Sequence, residues 1–168
     1  MKSIEIISFE DRYHEDFKTL SYEWLKKYGL LEPEDERILN NPKEVILNQG
    51  GHIFFAKYGE EVVGTVSLIK VDENTFEIAK FAVTETYQGL SIGKKLLEKC
   101  LQIAGDEKIQ KIILYSNHAL TSALALYKKF NFKEIPLDSR KYMESDLKME
   151  LNLALIEYDD PHEAISKM

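Results

Sequence analysis

The sequence predicts a mixed α/β (α+β) domain in which a β meander feeds a glycine loop and a helix. Two observations carry this. Residues 52–83 hold three Val-, Ile- and Phe-rich runs separated by the turn signals Gly59-Glu60 and Asp72-Glu73-Asn74, the pattern of consecutive antiparallel strands. The period then changes. Beyond Gly89 and Gly93, the residues Ile92, Leu96 and Leu97 share one helical face, and a second extended run with Ile112-Ile113-Leu114-Tyr115 follows. That is a β-loop-α-β unit, whose crossover should be right-handed. The expected product is a central twisted sheet of about six to seven strands, mixed but mostly antiparallel, with helices packed on it.

Each element has a local reason. Residues 3–8 form a short strand. Over 9–28, Tyr13, Phe17, Leu20, Trp24 and Tyr28 recur at steps of three and four, an amphipathic helix that Gly29 stops. Pro33 and the acidic residues after it start a short helix over 34–40, which Asn41-Pro42 interrupts. Residues 43–48 add a helical turn before the break at Gly50-Gly51. Strands are expected over 52–58, 62–71 and 75–83, then a helix over 91–104 ended by Gly105. A strand over 109–116 precedes a helix over 120–130 with Leu120, Ala123, Leu124 and Tyr127 on one face. Residues 132–137 read as a strand, 138–145 as a polar loop, and 146–155 as a final alternating strand. Residues 1–156 form a single domain, and 157–168 form a polar tail.

Composition narrows the function. The 168 residues, 44% hydrophobic and 30% charged, suit one globular domain with a sizeable core. A net charge of -7 argues against a nucleic-acid binder. The single cysteine, Cys100, excludes a disulfide framework and falls on the buried face of its helix. His14, His52, His118 and His162 are too scattered to suggest a metal, and none is expected. The opening MKSIEIISFEDR is too short and too charged for a signal peptide, and no apolar run approaches the roughly 20 residues of a membrane helix. The reading is a cytoplasmic protein without a membrane partner.

The stretch over 81–97, FAVTETYQGLSIGKKLL, is the chemical feature. A strand running into an amide-rich loop and a helix N-terminus can hold a phosphate. A Walker loop is absent, since no Gly-Lys-Ser/Thr follows. A dinucleotide fingerprint fits poorly, because Gly89 and Gly93 follow an antiparallel meander rather than the first strand of a parallel sheet. Gln88-Gly89-Leu90-Ser91-Ile92-Gly93 instead resembles the acyl-CoA loop R/Q-x-x-G-x-G/A of the GNAT acyltransferase superfamily. About 35 residues on, Leu126-Tyr127-Lys128-Lys129-Phe130-Asn131-Phe132 is similar to that superfamily's LY-x-K-x-G-F segment. The element order matches to about Leu155. The ILNQGGHIFFA and KMEL segments are similar to bacterial-type members and indicate no particular acceptor.

Three positions depart from the pattern. Asn131 replaces a glycine, a mild change because Asn tolerates the left-handed region. Ser91 replaces the first motif glycine. It is either a left-handed residue, strained by about 1 kcal/mol, or a helix N-cap whose hydroxyl adds a donor to a phosphate; the cap is the preferred reading. Leu120 stands where the superfamily often has Asn, and Asn117 is the substitute candidate.

The resemblance implies an N-acetyltransferase, with acetyl-CoA as co-substrate and a primary amine as acceptor, reacting directly in a ternary complex. The alternative is a non-catalytic acyl-CoA-binding or regulatory module on the same fold. It also implies a sheet splayed at the acyl-CoA site, with the pantetheine arm pairing along Phe81, Ala82 and Val83. The amides from Gly89 to Lys94 would hold the pyrophosphate, aided by Lys94 and Lys95, which otherwise only solvate the helix. A main-chain N–H near Phe81 or Ala82 would face the thioester carbonyl. Glu77 is the candidate base that deprotonates the amine; the competing reading is a solvent-facing strand residue. Tyr127 is the candidate acid for the leaving thiolate, although spacing alone makes it a core tyrosine. Glu23, Trp24, Tyr28, Arg140, Tyr142 and Glu144 are acceptor-site candidates, since aromatics beside a carboxylate suit a cation; each alone also reads as packing or surface. Homodimers are common in this superfamily.

Overall fold

In the computed structural model, which describes residues 2–89, 91–137 and 142–155, the predicted meander is the middle of a larger sheet. The strands are β1 (Ile4–Ser8), β2 (His52–Tyr58), β3 (Glu61–Asp72), β4 (Thr75–Val83), β5 (Lys111–Ser116), β6 (Lys133–Ile135) and β7 (Leu147–Asn152). They are hydrogen-bonded in the order β1-β2-β3-β4-β5-β7-β6. Among the described residues only the β4–β5 pair is parallel, as a β-α-β crossover requires. The helices are α1 (His14–Lys27), α2 (Pro33–Asn40), α3 (Pro42–Val45), α4 (Ile92–Asp106) and α5 (Thr121–Lys129).

Element order agrees with the sequence reading; several bounds do not. The helix expected over 9–28 opens as a 3-10 turn, Asp11–Tyr13, before α1 begins. The turn expected over 43–48 divides into α3, started by Pro42, and a 3-10 turn Leu47–Gln49 that Gly50 closes at φ 91. The strand expected over 132–137 contracts to β6, which pairs with β7 alone at the sheet edge. The strand expected over 146–155 ends at Asn152, whose side-chain oxygen accepts the Ala154 N–H and starts a 3-10 turn. Part of the expected polar loop and the tail lie outside the described residues.

Both faces of the sheet are covered, which explains why β2 reads as a continuous apolar run rather than an alternating one. Phe54 and Ala56 join Leu96, Leu97 and Cys100 of α4 on one face. Ile53 and Phe55 join Phe17 of α1 and Ile38 and Leu39 of α2 on the other. Each of the Phe, Leu and Ile side chains contributes about 1.5–3 kcal/mol by leaving water. Cys100 is buried, as its helical spacing predicts.

Two irregularities in β4 set up the site. Its parallel pairing with β5 covers only Thr75–Ile78 against Lys111–Leu114, yet β4 continues to Val83 and β5 to Ser116. Beyond Ile78 the two strands part, as the resemblance implies. On its other edge β4 slips register against β3: Ser67 faces Ala79 while Thr65 faces Ala82, so Lys80 and Phe81 together oppose Val66. That is a β-bulge, and its first residue, Lys80, sits at φ 51. The left-handed residue of such a bulge is usually glycine.

Candidate functional site

A cleft of about 1110 Å³ opens where β4 and β5 part, and it has two chemically distinct ends. At one end, the loop after β4 leads into α4. Gly89 has φ 85, a conformation natural to glycine. Gly93 serves a different purpose: a Cβ there would meet Phe81 Cζ at 3.0 Å and Leu126 Cδ2 at 3.1 Å. Its missing side chain lets α4 start close against β4 and α5. Leu90, an expected contact, lies outside the described residues.

The preferred reading of Ser91 as an ordinary helix cap is corrected by the backbone. Ser91 does precede α4, but at φ 61 and ψ 22, and its hydroxyl makes no capping bond. A capping serine has extended backbone, which aims the hydroxyl at the second or third amide of the helix; the left-handed form does not. The strain is about 1 kcal/mol. The first intrahelical bond runs from Lys95 N–H to Ser91 O, so Ile92, Gly93 and Lys94 have amides without an intrahelical acceptor. The absent cap leaves them open to an anion at the positive end of the helix. Lys94 also lines the cleft, 3.9 Å from Glu98. Asn131, the other departure, takes the left-handed form expected of it, at φ 69.

Between the ends runs the free edge of β4. Thr84 N–H bonds Val63 O, so by antiparallel alternation Val83 turns its own N–H and C=O away from β3 and into the parting. The Val83 carbonyl accepts the Trp24 indole N–H at 2.8 Å and the Gln88 side-chain amide at 2.7 Å. Phe81, Ala82 and Val83 all line the cleft. This strand edge, which no neighbouring strand covers, and the uncapped α4 amides fit an extended ligand with a phosphate at one end, such as coenzyme A.

Tyr127 of α5 lies in the cleft wall with its ring 5.9 Å from both Phe81 and Phe132. Burial, with a smaller contribution from Cys100, raises its phenol above the ordinary value, so it stays protonated. Asn117 also lines the cleft, but its amide bonds Glu144 O at 2.9 Å and its oxygen accepts the Ala119 N–H.

The other end is carboxylate-rich. Glu77 is only 2% exposed, so the solvent-facing alternative is overturned: the strand is covered on that face too. The Tyr142 hydroxyl donates to Glu77 Oε2 at 3.2 Å. Burial first, then the charges of Glu77 and Asp35, raise the Tyr142 phenol. Lys80 Nζ lies 4.9 Å from the Tyr142 ring centroid and forms an ion pair with Asp35 of α2. Tyr115 packs on Tyr142 with centroids 6.1 Å apart. Glu32, just before α2, accepts the Met143 and Glu144 amides at 2.8 and 3.0 Å, fixing the segment that carries Tyr142.

Among the other acceptor candidates, Trp24 and Tyr28 stack at 5.9 Å and line the cleft, with Lys27 over both rings. Glu23 is occupied elsewhere, accepting the Thr84 hydroxyl and the Glu85 amide. Arg140 lies outside the described residues. Sequence reasoning missed Asp35 and Lys80. A regular strand puts residues 77 and 80 on opposite faces, and only the bulge brings both to Tyr142. The one available signal was a lysine inside the otherwise apolar run IAKFAV.

With this geometry in place, comparison with known proteins is decisive at the level of family. The model of the acetyltransferase (GNAT) family matches residues 8–132, and the chain belongs to that family. It is 28% identical to a GNAT-family acetyltransferase of Staphylococcus aureus Mu50, with a TM-score of 0.81 over 90% of this chain and 99% of that one. The fold is also that of an N-acetyltransferase from Thermoplasma acidophilum in complex with coenzyme A, at TM-score 0.69 and 22% identity, covering 89% of this chain and 99% of that one. Human N-acetyltransferase 8B is 29% identical over 97 residues, which are 55% of this chain and 43% of that protein. The chain thus spans under half the length of that curated relative.

Proposed function

We propose that the protein transfers the acetyl group of acetyl-CoA to a primary amine by direct attack in a ternary complex. The observation that supports this best is the cleft itself: open helix amides at one end and a buried carboxylate, Glu77, at the other, joined by the free edge of β4. Acetyl-CoA supplies the thioester. The Ile92, Gly93 and Lys94 amides would hold its pyrophosphate, with Gln88, Gly89, Leu90 and Ser91 shaping the loop. Phe81 and Val83 would pair with the pantetheine arm, Ala82 between them being turned to Thr65 of β3, and the Phe81 N–H would stabilise the tetrahedral oxyanion. Because the Val83 carbonyl already accepts two side-chain donors, Gln88 would have to yield its bond as the arm enters.

An alkyl ammonium has a pKa near 10.4 and must lose a proton to attack. Glu77 takes that proton, directly or through water, and Tyr142 orients it. Tyr127, kept neutral by burial, gives its proton to the departing thiolate. Trp24, Tyr28, Tyr142 and the carboxylates near α2 favour a cationic acceptor.

The test has two stages. Acetyl-CoA at 100 times its Kd should stabilise the fold by about 2.7 kcal/mol, read as a rise in Tm. An amine panel should then release free CoA thiol faster than buffer does. Stabilisation without release from any amine would leave a non-catalytic acyl-CoA-binding module; the absence of both stabilisation and release would remove the reading altogether.

A further inference from the structure

We propose that Asp35 is a positioning residue: its buried ion pair with Lys80 holds the β4 bulge and so sets which side of the strand each half of the site faces. The argument begins with phase. In a regular strand, residues 77, 79 and 81 share a face, and a one-residue slip sends everything beyond it to the other side. Glu77 and Ala79 do face the α1–α2 side, Glu77 meeting Tyr142 and Ala79 joining Phe17 and Ile38. Phe81 instead packs against Gly93 and Tyr127 on the α4 side. Lys80 absorbs the switch. Without it, Glu77 and Phe81 would project together, and the free main-chain edge would not meet the carboxylate as it does.

A lysine is an unfavourable occupant of that position, because φ 51 suits glycine. What holds it there is its far end. The Lys80 and Asp35 side chains are 5% and 4% exposed and form an ion pair, while the lysine lies over the Tyr142 ring. Asp35 is itself fixed, accepting the Glu32 N–H at 3.0 Å in the first turn of α2. Glu32 in turn holds the Met143 and Glu144 amides. The start of α2 is therefore a clamp with two jaws, one on the bulge and one on the Tyr142 segment. The sense in which the bulge positions a reacting group rests on the acyltransferase reading; the clamp itself does not.

The test uses the full chain and the double variant Asp35→Asn/Lys80→Met. Asn keeps an acceptor for the Glu32 N–H, and removing both members of the ion pair strands neither charge without the other, so the fold should survive. Amide exchange at Ala79 and Ala82, which pair with β3 on either side of the bulge, should quicken on the order of 10-fold, while Ile112 and Ile113 of neighbouring β5 keep their rates. The Kd for CoA should hold, and kcat should fall roughly 100-fold, the scale of a 1 Å misplacement. Asp35→Asn/Lys80→Gly should turn over faster than the methionine variant, because glycine reaches the left-handed form unaided. Unchanged exchange at Ala79 and Ala82, or an equal rise across β4 and β5, overturns the clamp. A wild-type chain that acetylates no amine defeats the acyltransferase reading instead, and the exchange data still decide the clamp.

Discussion

The two ends of the cleft are built by different means. The α4 end is a contiguous piece of chain whose polar contribution is mainly main-chain: the amides of Ile92, Gly93 and Lys94 and the Val83 N–H that faces away from β3. The carboxylate-rich end is assembled from side chains far apart in sequence. Asp35, Glu77, Lys80, Tyr115 and Tyr142 come from a helix, two strands and a loop. A main-chain site tolerates changes of side chain, because its donors belong to every residue. A side-chain site fails when one partner goes.

That contrast can be broken experimentally, and the largest effect is expected at the carboxylate-rich end. Glu77→Gln should lower kcat/KM by about 10²- to 10⁴-fold while the Kd for CoA, measured by calorimetry, stays constant. A loss confined to CoA binding would erase the distinction between the ends. Tyr127→Phe tests the point where they meet. Thiol release should fall by about 10²-fold, the low end of the range for proton transfer. The same variant has a pH signature. Burial raises the native phenols of Tyr127 and Tyr142, whereas the unfolded chain ionises near pH 10. The native state then holds the extra protons, so their contribution is complete below pH 10 and declines as pH rises beyond it. Tyr127→Phe should make that decline shallower in urea melts at pH 9 to 11. An unchanged slope would show that Tyr127 ionises as freely in the fold as outside it.

At the α4 end the expected effects are smaller. Ser91→Gly should raise stability by about 1 kcal/mol, seen as a higher denaturant midpoint, because glycine adopts φ 61 without strain. CoA affinity should not fall, since the Ser91 hydroxyl caps nothing. A clear loss of affinity would assign that hydroxyl to the ligand and make this end depend on a side chain after all.

How much of the molecule was legible in the sequence follows the same division. The glycine loop, the helix it starts and the tyrosine of α5 were readable because each depends on neighbours in sequence. Glu77 was readable as a charge on a strand, but not as buried, because the cover over it comes from α1, α2 and the Tyr142 segment. Glu23 was readable as an acid near the right end of α1, yet its oxygens are turned to Thr84 and Glu85. Neither fate is encoded within ten residues of the side chain concerned.

By itself the sequence determined the order of strands and helices, the parallel crossover at the glycine loop and the family to which the chain belongs. These follow from periodicity, turn residues and contiguous motifs, all of them local. Only the tertiary structure decided the register slip at Lys80, the left-handed form of Ser91 and the burial of Glu77 and Asp35. A slip of one residue is an agreement between β4 and the elements packed against it. Its determinants, Asp35 and Lys80, stand 45 residues apart, and no local pattern joins them.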